Sequence, residues 1–189
     1  MNLRRAPLHG VPGLEGTGIA LPAVVSRPRR LDGISYVGPA AYFVTTCTLD
    51  RRKAFTNNDF CQECVGELLA TSRRYGFTTT AYCIMPDHVH YLVSGNRSDA
   101  SLPAFVAMWK QRTGFAWHRR AGRRLWQKGY YEHVLRADEA HLPIARYILE
   151  NPVRAGLVGQ ARDYPWLGSD QFPIEDILLE LSGSAVGRL

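Results

Sequence analysis

The sequence predicts an α+β fold, a ferredoxin-like antiparallel sheet with helices packed on one face. Runs rich in aromatic and β-branched residues alternate with helix-forming segments in the order β-α-β-β-α-β, and one more helix follows. The two central runs are separated only by Pro86-Asp87, a turn dipeptide, so they form a hairpin. Alternation of this kind is typical of one antiparallel sheet covered by helices.

The first half of the domain begins with a strand over residues 41–49, "AYFVTTCTL". Asn58 or Asp59 can cap the helix that follows, and Gly76 suits its C-terminal end. The hairpin then consists of "FTTTAYCIM" and "HVHYLVSG".

The second half begins with a helix capped by Ser101, in which Leu102, Phe105, Met108 and Trp109 recur at helical spacing. "YYEHVLRA" is the fourth strand. The last helix of the domain is expected to start at Asp138 and to stop at Pro152. "YPWLGSD" then has the composition of a connecting loop.

Three segments divide the chain. Residues 1–33 are rich in Gly, Pro and Arg and are predicted to be a flexible basic arm. Residues 34–170 form the folded domain, and residues 171–189 form a C-terminal tail with a short helix. No apolar run approaches the length of a membrane span, and the four cysteines form no disulfide framework, so we expect a cytoplasmic protein that uses no membrane.

Positive charge is concentrated in one part of the chain. Residues 101–136 contain eight basic side chains and a single acid, Glu132, whereas the whole chain has a net charge of only +6. A local excess of this kind indicates a polyanion such as nucleic acid as the partner, although a solvated helix face has the same composition.

Two histidines stand one residue apart in the third strand. Side chains alternate between the faces of a strand, so His88 and His90 share one face. They can bind one divalent cation or be hydrogen-bonded core histidines. Tyr147 and Asn151, four residues apart, share one face of the last helix. If that helix crosses the histidine face, an amide oxygen and a phenol join the imidazoles; otherwise Tyr147 is a rim tyrosine of the core.

In six segments the chain resembles the REP-associated tyrosine transposases, within the single-tyrosine HUH (IS200-like) transposases. The segments are "RPRR", "YFVTTCTLDRR", "YCIMPDHVHYLV", "LWQKGYYEHVLR", "YILENPVRAGLV" and "DYPWLGS", which together span residues 27–169. The resemblance implies that His88 and His90 are metal ligands, that Asn151 is the third ligand and that Tyr147 is the nucleophile. It further implies cleavage of single-stranded DNA near a hairpin through a 5′-phosphotyrosine, assisted by Mg²⁺ or Mn²⁺, in a monomer or homodimer.

DNA contacts are expected from the basic arm and from the basic stretch, which also offers Trp126 as a surface for base stacking. The candidates are Arg29, Arg30, Lys110, Arg112, Arg119, Arg120, Arg123, Arg124, Trp126 and Arg136. Tyr130 and Tyr131 lie near the predicted site as well, but they lack the spacing to Asn151 that favours Tyr147.

Two other functions remain open on the sequence. A non-catalytic protein that binds or represses hairpins would need the basic stretch but no metal. A metal-dependent hydrolase of a small substrate is less consistent with the sequence, because it has no use for a phenol beside the metal and because no acidic side chain is expected near the histidines.

Overall fold

The computed structural model of the chain describes residues 36–135 and 141–183, with side chains as far as Leu179. Five strands form one antiparallel sheet in the order β4-β1-β3-β2-β5. The strands are β1 (Ala41–Cys47), β2 (Phe77–Met85), β3 (His88–Gly95), β4 (Tyr131–Leu135) and β5 (Leu167–Gly168). The helices are α1 (Asn58–Arg74), α2 (Leu102–Ala121), α3 (His141–Leu149), α4 (Asn151–Arg154) and α5 (Ile174–Gly183).

The first four strands confirm the predicted β-α-β-β-α-β order and give the ferredoxin-like arrangement β4-β1-β3-β2. The β2-β3 hairpin turns at Pro86-Asp87, as expected, and pairs Met85 with His88. Because β1 runs antiparallel to β3, Cys47 at its end lies opposite His88. β1 and β2 therefore end, and β3 and β4 begin, at the same end of the sheet. We call it the histidine end.

The prediction that all helices pack on one face is wrong. α1 and α2 cover one face, where their apolar residues pack with Tyr42, Val44 and Tyr91 of the sheet. α3 and α5 cover the other face, where they pack with Phe43, Cys83 and Leu92. The β-α-β-β-α-β unit accounts for the first pair only, and the extra helices bury the second apolar face, which water would otherwise reach.

A fifth strand occupies the segment that the sequence assigns to a loop. Leu167 pairs with Cys83 and Gly168 with Tyr82 at the edge of β2. The phenol of Tyr82 lies so close that a Cβ at residue 168 would come within 2.6 Å of its oxygen, so a larger residue there would force the Tyr82 ring to move. Two residues are too few to show a strand period, which explains why the sequence did not reveal this strand.

Helix termini differ in detail from the predictions. α1 is capped by Asn57, one residue before the predicted Asn58, and the Asn57 side chain accepts a hydrogen bond from the Phe60 amide. Ser101 does occupy the cap position of α2, but its side chain makes no capping hydrogen bond.

The prediction that the last helix stops at Pro152 differs from the structure. α3 ends at Leu149, and Pro152 lies in the first turn of α4, which runs from Asn151 to Arg154. Proline is tolerated there because the first turn of a helix needs no amide proton. The result is a break between α3 and α4 that places Asn151 at the start of a new helix rather than at the end of the old one.

Several predictions lie outside the described residues: the arm over residues 1–33, Arg29 and Arg30 within it, Arg136, and Asp138 as a helix cap. The predicted terminal helix is present as α5, and its Ile177 is buried against the core of the α3 face. Within residues 36–135 and 141–183, no helix combines the length and the apolar character that crossing a bilayer requires.

Candidate active site

His88 and His90 lie on the sheet face that α3 covers. In β3 the even-numbered residues point to this face, whereas Val89, Tyr91 and Val93 point into the core beneath α1 and α2. The His88 and His90 rings are 4.6 Å apart between centroids and nearly perpendicular. The structure thus brings together the two imidazoles and the helix that carries Tyr147, as the proposed site requires.

The two imidazoles face each other through their Nε2 atoms, which are 3.0 Å apart. Each Nδ1 atom has another partner: Asp87 Oδ1 lies 2.6 Å from that of His88, and Thr45 Oγ1 lies 2.8 Å from that of His90. Partners on Nδ1 fix the orientation of a histidine ring and leave Nε2 to bind a metal. This donor arrangement suits a divalent cation bound between two imidazoles.

Burial keeps the His90 imidazole in its neutral form, which is the form that binds metal. Burial, with added repulsion from His88, Arg51 and Arg154, lowers the pKa of His90 well below its usual value. His90 is only 8% exposed and is neutral at physiological pH. A neutral imidazole has the free lone pair that coordination needs.

Asp87 and Arg51 support His88 from behind. Arg51 Nε lies 3.0 Å from Asp87 Oδ2, while the other carboxylate oxygen faces His88. Burial alone would raise the pKa of Asp87, but the hydrogen bond with His88 and the charge of Arg51 outweigh it, so the pKa is lowered. The expectation that no acid lies near the histidines is therefore wrong, although both oxygens of this carboxylate are engaged.

The turn after β1 adopts an unusual backbone to place Arg51. Asp50 and Arg51 both have φ of 56°, in the left-handed region that non-glycine residues seldom occupy. Thr48 fixes the turn, because its hydroxyl oxygen lies 2.7 Å from the Arg52 carbonyl and 2.9 Å from the Asp87 carbonyl, and these two acceptors share its one proton. Strain of this kind persists where surrounding contacts enforce it, and here it keeps Arg51 on Asp87.

Tyr147 lies half-buried beside the imidazoles. Its ring packs edge-on against Phe43, with centroids 6.1 Å apart, and its centroid lies 6.3 Å from that of His90. Burial raises the pKa of the phenol above its usual value near 10, and Arg154 offsets part of the rise. At neutral pH the phenol is therefore protonated.

Arg154 is the cation that lies on this phenol. Its guanidinium carbon is 4.0 Å from the centroid of the Tyr147 ring, a cation–π distance. The same side chain donates to the Tyr147 carbonyl and forms an ion pair with Glu150 at 3.6 Å. Two of these contacts are with Tyr147 itself, so Arg154 holds the residue and places positive charge over its ring.

Asn151 has a structural task at the break between α3 and α4. Its Nδ2 donates to the Tyr147 carbonyl at 3.0 Å and lies 3.5 Å from the Ile148 carbonyl. Both carbonyls are at the end of α3, where backbone oxygens have no intrahelical partner. Only its Oδ1 can coordinate a cation, because the amide nitrogen has no free lone pair. Among the described residues, no cluster of three His, Cys, Asp or Glu side chains is placed to bind a metal, so any third protein donor must be of another type.

Two predicted DNA contacts are structural instead. Trp126 is 5% exposed, packs on Trp109 and donates to Thr113 Oγ1 at 3.0 Å, so it has no free face for a base. Lys110 donates to the Gln127 carbonyl at 2.8 Å and also to the Gly129 carbonyl, and burial lowers its pKa to about 8. Both residues attach the loop after α2 to the core.

The predicted arginines divide into two groups. Arg112 and Arg120 are partly exposed but form ion pairs with Glu67 and Glu63 of α1, at 3.1 Å and 2.7 Å. Arg119, Arg123 and Arg124 are exposed at or just beyond the end of α2. The loop after α2 bonds to the end of β1, since Gln127 donates its amide to the Cys47 carbonyl. Arg123 and Arg124 therefore lie towards the histidine end of the sheet, although α2 itself covers the opposite face.

Tyr131 also lies on the imidazole face, where it packs against Phe43 at 6.5 Å and pairs with Thr45. Tyr130 points to the other face and packs against the core beneath α2. Four residues of the site were not predicted from the sequence: Thr45, Arg51, Asp87 and Arg154. Two had a usable signal, because Asp87 directly precedes His88 and Arg154 follows Tyr147 by seven residues, two helical turns.

Comparisons with known proteins relate the chain to one family of transposases. The family model described as "Transposase IS200 like" matches residues 37–151. A Haemophilus influenzae protein named "Putative REP-associated tyrosine transposase" is 30% identical, over 66% of this chain and 77% of its own. The Escherichia coli REP-associated tyrosine transposase is 24% identical, over 69% and 77%. A solved REP-associated tyrosine transposase bound to a REP hairpin has the same fold, with a TM-score of 0.61 and 23% identity, covering 76% of this chain and 82% of that one.

Proposed function

Because the chain belongs to the IS200-like transposase family, we propose that it cleaves and rejoins single-stranded DNA with Tyr147 as the nucleophile. The observation that carries the proposal is the Tyr147 ring, which lies 6.3 Å from the His90 ring on the face where two imidazole nitrogens converge. A phenol beside a phosphate-binding cation is the arrangement that transfer of a DNA strand to tyrosine needs.

The cleavage step is a transesterification at phosphorus. The Tyr147 oxygen attacks the scissile phosphate and loses its proton, the bond from phosphorus to the 3′ oxygen breaks, and that oxygen takes up a proton. The products are a 5′-phosphotyrosine and a free 3′-hydroxyl. Attack of a 3′-hydroxyl on the phosphotyrosine reverses the step and rejoins a strand, so no nucleotide cofactor is consumed.

We assign His88 and His90 as ligands of Mg²⁺ or Mn²⁺, with Asn151 Oδ1 as the third protein donor. The support is the convergence of the two Nε2 atoms and the partners that hold each Nδ1. When bound, the cation polarises the scissile phosphate and stabilises its developing charge. Asp87 and Thr45 hold the rings, and Arg154 keeps the phenol against them.

The DNA substrate is proposed to be a hairpin with a single-stranded flank, by analogy with the solved relative that binds a REP hairpin. Arg119, Arg123 and Arg124 supply exposed charge for its phosphates. We propose that Tyr147 acts in the chain that carries the two imidazoles, because the three side chains lie close together within one chain.

The test is covalent capture of a hairpin-bearing single-stranded oligonucleotide in the presence of Mn²⁺. We expect the wild-type protein to form an adduct that survives denaturing electrophoresis, and Tyr147→Phe to form none. Tyr131→Phe is the matched control, because that phenol lies on the same face of the sheet, and it should keep the adduct. An adduct that persists in Tyr147→Phe would show that another residue is the nucleophile.

His88→Ala separates this function from passive hairpin binding. We expect it to reduce adduct formation by at least about a hundredfold while oligonucleotide affinity stays within a few fold, since the cation acts on the reacting phosphate. If the wild-type protein binds hairpins but forms no adduct with any divalent ion, the protein is a hairpin-binding module instead.

A further inference from the structure

An open cavity of about 430 Å³ is lined by residues from α3, α4, α5 and the segment that follows α4. Its polar wall consists of Arg146, Glu150, Arg154 and Gln160, and its apolar floor includes Val153 and Leu178. Arg154 belongs both to this wall and to the contact on the Tyr147 ring. The cavity is therefore connected to the nucleophile through a single guanidinium.

The chemistry of the cavity matches a nucleotide. Two guanidiniums converge on Glu150, with Arg146 Nε 2.6 Å from one carboxylate oxygen and Arg154 Nη1 3.6 Å from the other. An arginine has five N–H donors, so each guanidinium retains further donors for a phosphate oxygen. The apolar floor suits the face of a base or a sugar, and the volume is within the range of small-ligand sites.

We propose that this cavity is a subsite for the nucleotide next to the scissile phosphate on the single-stranded flank. Arg146 and Arg154 contact the phosphate of that nucleotide. Without DNA, both guanidiniums form ion pairs with Glu150 instead. The inference rests on the proposed function and extends it by placing the strand along α3. It also gives Arg154 two partners in the complex, the Tyr147 ring and the DNA backbone.

Glycine at position 159 allows the cavity to be blocked without changing its charge. Gly159 lines the cavity, its φ is outside the left-handed range, and a Cβ built there meets no atom within 4 Å. Gly66 on the exposed surface of α1 has the same freedom and lies on the opposite face of the sheet. Gly159→Phe and Gly66→Phe are therefore a matched pair.

The experiment measures binding of a short fluorescent single-stranded oligonucleotide of mixed sequence by anisotropy, in full-length Tyr147→Phe protein so that no reaction occurs. We expect Gly159→Phe to weaken binding about tenfold, as loss of a charge-assisted contact would, and Gly66→Phe to leave it unchanged. Equal affinities for the two variants would overturn the proposal.

Charge variants test the same subsite independently of whether Phe fits at position 159. Arg146→Gln should weaken binding more than Arg97→Gln, which removes an arginine that is also paired with a carboxylate, that of Asp99, but lies beside Gly76 and does not line the cavity. Glu150→Gln should tighten binding several-fold, because it removes the carboxylate that competes with the phosphate. If Arg146→Gln matches Arg97→Gln, or if folded Glu150→Gln binds no more tightly, the subsite is excluded.

Adduct formation by the protein with Tyr147 intact distinguishes failure of the subsite from failure of the proposed function. An adduct together with equal binding by Gly159→Phe and Gly66→Phe rejects the subsite and keeps the enzyme. Weakened binding by Gly159→Phe without any wild-type adduct keeps the cavity as a DNA site and rejects the cleavage mechanism.

Discussion

The two faces of the sheet are built from the same strands but differ in what their side chains do. Beneath α1 and α2 the face is a dry aromatic core in which Tyr42, Tyr91 and Trp109 are fully buried. Beneath α3 the same strands present His88, His90 and the half-buried Tyr147 next to Phe43. One strand, β3, supplies both faces by alternation, so the core that fixes the strand also fixes the spacing of the imidazoles.

Most of the basic side chains of α2 lie on a different face of the sheet from His88, His90 and Tyr147. The basic helix α2 packs on the dry face, where Trp126 and Lys110 serve the core and two arginines pair with α1. Only its C-terminal end and the loop after it approach the histidine end of the sheet. The concentration of positive charge in the sequence therefore overstates the number of side chains free to meet DNA.

The largest difference between the two faces is expected in how a substitution changes the free energy of unfolding. Trp109→Ala should lower the free energy of unfolding by about 3–5 kcal/mol, because it leaves a cavity in the dry face and removes a hydrogen bond to the Cys64 carbonyl. Tyr147→Phe on the other face should change it by less than about 1 kcal/mol. Urea denaturation followed by circular dichroism measures both, and equal losses would contradict the division into a structural and a functional face.

The next largest effect is expected on the rate of adduct formation when the Asp87 carboxylate, which is bonded to His88 Nδ1, is removed. Asp87→Asn should lower the rate of adduct formation about 10- to 100-fold, since a weaker partner on Nδ1 leaves the imidazole less well oriented. Asp99→Asn, which also removes a carboxylate paired with an arginine, is the control and should keep the wild-type rate. If both variants react alike, Asp87 does not position the site.

Lys110 provides a pH-dependent test of its place in the core. Burial lowers its pKa from 10.5 to about 8, so between these values the folded chain holds the neutral amine and the unfolded chain the charged one. The unfolded state then binds more protons, and stability must rise with pH in this window. Relative to Lys110→Met, we expect the wild type to gain roughly 1–2 kcal/mol between pH 8 and 10 in chemical denaturation. A flat difference would show that the amine is solvated.

The smallest effect is expected from the exposed arginines at the histidine end. Arg123→Gln/Arg124→Gln should reduce the slope of log affinity against log salt for single-stranded DNA by about 1.4, near 0.7 for each lost phosphate contact. Arg73→Gln/Arg74→Gln at the end of α1 removes the same charge at the opposite end of the sheet and should leave the slope unchanged. Identical slopes in the two double variants would mean that the loop after α2 makes no phosphate contacts.

The sequence by itself determined the features that depend on local order. The turn dipeptide placed the β2-β3 hairpin, and the strand period placed both imidazoles on one face of the sheet. These predictions succeeded because side-chain direction within one element follows from its period alone. The first four strands could be ordered for a similar reason, since the β-α-β-β-α-β pattern admits few topologies.

Only the tertiary structure decided which elements meet. It placed α3 on the face opposite α1 and α2, added β5 through two residues, buried Trp126, and bonded Lys110 to the Gln127 carbonyl. It also brought Arg51 onto Asp87, and Thr45 onto His90, which is 45 residues away in sequence. Such contacts depend on which apolar surfaces pack against each other over long sequence separations, and no local period encodes that choice.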